Sequence, residues 1–60
     1  MNQYMEAQIT NMTLMVQTFE QSCRIAATKN DGQIDKAEEK RLKQISAAAQ
    51  HFIKELNRIK

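Results

Sequence analysis

Sixty residues with a formal charge of +2, a single cysteine and no proline make at most one small domain. One cysteine excludes an intrachain disulfide, and a +2 balance is too weak to argue by itself for nucleic acid or an anionic membrane. No apolar run approaches the ~20 residues that a bilayer span needs.

The first predicted element is a helix over about residues 3–29. Asn2 is a good cap, Glu6 favours the positive end of the helix dipole, and no glycine interrupts the chain before Gly32. Its apolar residues climb in steps of four and three: Met5, Ile9, Met12, Val16, Phe19, Cys23 and Ala26. Steps averaging 3.5 hold one stripe against a partner helix over many turns. In heptad terms Ile9, Val16 and Cys23 take position a, while Met5, Met12, Phe19 and Ala26 take position d. From Ala7 to Phe19 there is no charge. Tyr4, Leu14, Met15 and Ile25 lie off this seam. An uncharged surface rich in amides and methionine suits a protein partner. These four, with Ile53 of the second helix, are the candidate partner interface.

Residues 30–34 are the predicted turn. Asn30 and Asp31 favour turns, and Gly32 can take the left-handed conformation that closes a helix. The stretch from Ala27 to Glu38 resembles the twelve-residue calcium loop of the EF-hand family. Asp31 stands at its fifth position, Gly32 at the obligatory turn, Ile34 at the eighth, Asp35 at the ninth and Glu38 at the last. The resemblance implies calcium ligands at Asp31, Asp35 and Glu38. Ala27 at the first position and Lys29 at the third depart from it and remove two ligands. A glycine-closed helix followed by an Asp35/Glu38 capping box explains the same residues without an ion. No metal or cofactor is therefore expected.

The second predicted helix covers about residues 36–59. Leu42, Ile45, Ala49, Phe52, Leu56 and Ile59 continue the ladder, with Leu42, Ala49 and Leu56 at a and the others at d. The run Ala47-Ala48-Ala49 leaves room for a bulky neighbour such as Phe19. Residues 31–60 hold the whole charge excess, with seven basic and five acidic side chains. Lys36, Lys40, Arg41, Lys43, Lys54, Arg58 and Lys60 are interspersed with Glu38, Glu39 and Glu55, which reads as a solvated face.

The pattern predicts an all-α fold, an antiparallel two-helix hairpin filling one domain over 1–60. A two-helix chain of this size cannot bury enough by itself, so self-association into a four-helix bundle is expected, a dimer foremost. The expected function is a small, non-enzymatic protein–protein interaction or assembly module. The alternative is RNA binding by a dimeric hairpin through the basic face of helix 2, by architectural analogy alone. No nucleophile is paired with a base: His51 stands alone on a helix face, and Cys23 is expected as an unreactive thiol in the seam. A first basic residue as late as Arg24 and an unpaired cysteine suggest a cytoplasmic protein without a secretory signal.

Overall fold

The computed structural model describes residues 2–29 and 31–60, so the turn preference of Asn30 lies outside the described residues. Two helices, α1 (Gln3–Ala27) and α2 (Lys36–Ile59), pack against each other. Asn2 caps α1, its side-chain oxygen accepting from the Met5 N–H at 2.9 Å. The helix ends two residues earlier than the sequence pattern suggests. The Thr28 N–H turns to the Ile25 carbonyl and the Lys29 N–H to the Ala26 carbonyl, a tightening common in a last turn. Gly32 then takes φ +76° and donates its N–H to the Thr28 carbonyl at 2.8 Å.

The start of α2 is fixed reciprocally. The Asp35 carboxylate accepts from the Glu38 N–H at 2.8 Å, and the Glu38 carboxylate accepts from the Asp35 N–H at 3.1 Å. Cross-helix pairs set the register of the hairpin: Glu20 with Gln50, Thr13 with Asn57, and Thr10 with Lys60. The numbers in each pair total 70. By that rule Phe19 and Phe52 stand within one residue of level, as do Met12 and Ile59.

The Cα framework measures 46 × 16 × 7 Å, with a radius of gyration of 14.3 Å. A compact chain of this length would have a radius of about 10 Å. The protein is thus a single helical layer, and among the described residues only Leu42 and Ala49 are buried.

The seam itself differs from the expected one. On α1 the residues withdrawn from solvent are Glu6, Ile9, Thr13, Val16, Glu20, Cys23 and Ala27. Met5, Met12, Phe19 and Ala26, expected in the seam, are exposed. At 100° per residue, α1 is rolled by roughly 60° from the expected contact. On α2, Leu42, Ile45, Ala49 and Leu56 do face α1, together with Ser46 and Ile53. Phe52 and Ile59 stay exposed, and Ile53 belongs to the seam rather than to an outer surface. The roll turns Thr13, Glu20 and Ala27 away from solvent, and Thr13 and Glu20 accept cross-helix hydrogen bonds from Asn57, Ser46 and Gln50.

Stability is expected to rest on the turn and on the two buried contacts. Gly32→Ala forces a left-handed backbone on a residue with a Cβ, and should cost about 1 kcal/mol although open space surrounds that Cβ. Asp35→Ala removes half of the capping box and should cost a similar amount, about 1 kcal/mol. Leu42→Ala should exceed both, at about 2–3 kcal/mol. Urea unfolding at one fixed protein concentration checks all three.

Candidate interaction surfaces

Rolling both helices in the same angular sense has a geometric consequence. In an antiparallel pair, the stripes so vacated end on the same broad face. That face carries Met5 (55% exposed), Met12 (38%), Phe19 (55%), Phe52 (46%) and Ile59 (66%), with the exposed Arg41 on the Ile59 stripe near its end. The paired heights of Phe19 with Phe52 and Met12 with Ile59 arrange them as two cross-helix rungs. Scattered exposed apolar residues are ordinary on a protein surface, whereas here five large ones share one face.

The opposite broad face is polar. Glu20 accepts from the Ser46 hydroxyl at 3.4 Å and from the Gln50 amide at 3.1 Å. Asn57 donates to the Thr13 hydroxyl and Lys60 to the Thr10 hydroxyl. Beside Glu20 lies a groove of about 390 Å³, lined also by Gln17, Arg24, Ser46 and Gln50. Sequence reasoning missed Glu20, because a lone carboxylate beside a seam reads as solvated. Its helical position flanking Val16 and Cys23 was the available signal.

The two long edges differ again. Tyr4, Leu14, Met15 and Ile25 are all more than half exposed on the outer side of α1. Thr10, Thr13 and Thr18 return their hydroxyls to carbonyls four residues back, so the middle of α1 satisfies its polar groups without charge. The outer side of α2 carries Lys36, Lys40, Lys43, Lys54 and Arg58, all exposed. Lys43 reaches Glu39 at 3.8 Å and Arg58 reaches Glu55 at 3.2 Å. His51 is exposed on the same side, and Cys23 is half-buried with a free thiol.

The loop carboxylates are otherwise engaged. Asp31 accepts from the Gln33 N–H at 3.0 Å, and Asp35 with Glu38 closes the capping box. No group of three or more His, Cys, Asp or Glu side chains gathers at metal-binding distance among the described residues. No described helix is long and apolar enough to cross a membrane. Compared with known proteins, the chain matches no protein-family model, no curated protein and no solved structure.

Two results are expected from these surfaces. Glu20→Ala strips two exposed or half-exposed donors of their acceptor and should lower stability by roughly 0.5–1 kcal/mol, measured by urea unfolding. Millimolar calcium should leave the thermal unfolding curve in place, since the backbone already holds Asp31, Asp35 and Glu38.

Proposed function

We propose that this protein is a small, non-enzymatic assembly module that acts by packing helices against its broad apolar face. Self-association into a four-helix bundle is its principal interaction. The observation that carries this reading is the exposure of Met5, Met12, Phe19, Phe52 and Ile59 together on one side of a single-layer hairpin. Domains are built of at least two packed layers around a shared core, and this chain supplies one. Completing the burial of each half-exposed side chain is worth roughly 1 kcal/mol. The outer residues Tyr4, Leu14, Met15 and Ile25 remain available to a further protein partner once the broad face is covered.

Sedimentation equilibrium across a concentration series tests the reading. A reversible dimer is expected, driven by burial of the apolar side chains. The double variant Phe19→Glu, Phe52→Glu places charge at the centre of the face and should abolish the dimer. A wild-type chain that stays monomeric and cooperatively folded at high concentration overturns the proposal, as does a double variant that still dimerises.

A second reading has its own support: Lys36, Lys40, Lys43, Lys54 and Arg58 occupy one outer side of α2. Such a stripe could track the phosphates of RNA. Binding through it would weaken steeply with added salt and on Lys40→Glu, Lys54→Glu substitution. RNA binding that ignores both would discard this reading.

A further inference from the structure

The contrast between the two long edges bears on how two copies sit together. The outward arc of α1, including Tyr4, Leu14, Met15, Thr18 and Ile25, holds no charged residue. The outward arc of α2 holds Lys36, Lys40, Lys43, Lys54 and Arg58 against a single acid, Glu55. Glu55 engages Arg58, and Glu39 beside the arc engages Lys43, whereas Lys36, Lys40 and Lys54 meet no carboxylate among the described residues.

Face-to-face packing of two identical hairpins has two symmetric solutions, because an isologous interface needs a two-fold axis in its plane. With the axis across the helices, α1 lies over α1 and α2 over α2, each pair reversed. That arrangement sets the Lys54 and Arg58 ends of two basic edges side by side at a helix spacing of about 10 Å, no more than one screening length at moderate salt. With the axis along the helices, α1 of one copy lies over α2 of the other and heights are preserved. The part of each basic edge from Lys43 to Arg58 then borders the charge-free edge of α1. By the register of the hairpin, Lys54 and Arg58 of one copy come level with residues 12–16 of the other. Their aliphatic stems can lie along Met15 and Leu14 while their charged heads stay in water.

Resting on the self-association proposed above, we infer that the protein forms a closed dimer with its two-fold axis along the helices, α1 of each copy packed over α2 of the other. The area suits a second copy. The 46 × 16 Å outline gives a broad face on the order of 700 Å², close to the roughly 800 Å² per partner of a standard stable interface. Growth stops at two copies because the other broad face is polar, its Ser46, Gln50 and Asn57 side chains already hydrogen-bonded across the seam.

Pulsed electron spin resonance on nitroxide-labelled full-length chain tests the arrangement. In a Cys23→Ala background, Gln21→Cys places a label on the exposed polar side of α1 near mid-bundle. Its distance to the second copy should be under about 35 Å in either arrangement, so it reports dimerisation alone. Gln3→Cys places the label at the start of α1. Helices running the same way put the two Gln3 labels at one end of the bundle, about 30 Å apart. The reversed arrangement that superposes the Phe19 and Phe52 rungs puts them at opposite ends, beyond about 45 Å. A short Gln21 distance with a short Gln3 distance supports the inference. A short Gln21 distance with a long Gln3 distance overturns it while leaving self-association standing. No dipolar coupling at Gln21, with a monomer by sedimentation, removes the self-association on which it rests.

Discussion

Two rods lying side by side can shield only the strip of each that the other covers, and this limit governs the rest of the hairpin. The chain spends its residues on length, with helices of 25 and 24 residues joined by a short turn. Each added turn of helix extends the seam, but it extends the uncovered faces equally. Lengthening therefore never closes the structure. The same residues divided into three shorter helices could surround a common core. Here the interior amounts to Leu42 and Ala49, so most of the apolar surface must find its cover elsewhere or stay wet.

That limit also explains which parts of the structure were legible in the sequence. The helices, the Gly32 closure and the Asp35/Glu38 capping box depend on local chemistry, which a sequence states directly. The face turned inward does not. The ladder from Met5 to Ala26 reads as one seam, yet the structure divides it. Ile9, Val16 and Cys23 lie at the contact with α2, while Met5, Met12, Phe19 and Ala26 look out beside it. An apolar stripe wider than one helix contact can serve more than one neighbour. A single sequence records the union of those contacts without saying which neighbour takes which residues. Ile53 is ambiguous for the same reason, since a residue beside the seam can border either partner.

Polar chemistry decides the division. Thr13 and Glu20 would be poor seam residues against a purely apolar helix, but Asn57, Ser46 and Gln50 stand opposite them and supply donors. None of these polar groups is fully buried among the described residues, yet each finds its partner across the seam. Rolling the helices toward these pairs therefore gains hydrogen bonds and leaves the bulky apolar residues on the other side. The two broad faces become unlike, one apolar and one already hydrogen-bonded. Covering the polar face with another protein layer would strip water from its amides and hydroxyls for little apolar gain. A molecule with one such face can pair, but it cannot stack indefinitely.

The two helices also differ in how much each owes to its surroundings. α2 carries a complete capping box, an alanine run and two supporting ion pairs at helical spacing, all of which favour helix before any packing occurs. α1 has a single cap and three threonines whose hydroxyls bond back to the preceding turn, a composition with weaker intrinsic helix preference. Its order must come largely from contacts made along its length, and most of its large side chains gain those contacts only when another layer is present. Anything bound to the apolar face thus stabilises α1 more than α2. In a chain built this way, forming the helix and engaging a neighbour are two aspects of one equilibrium.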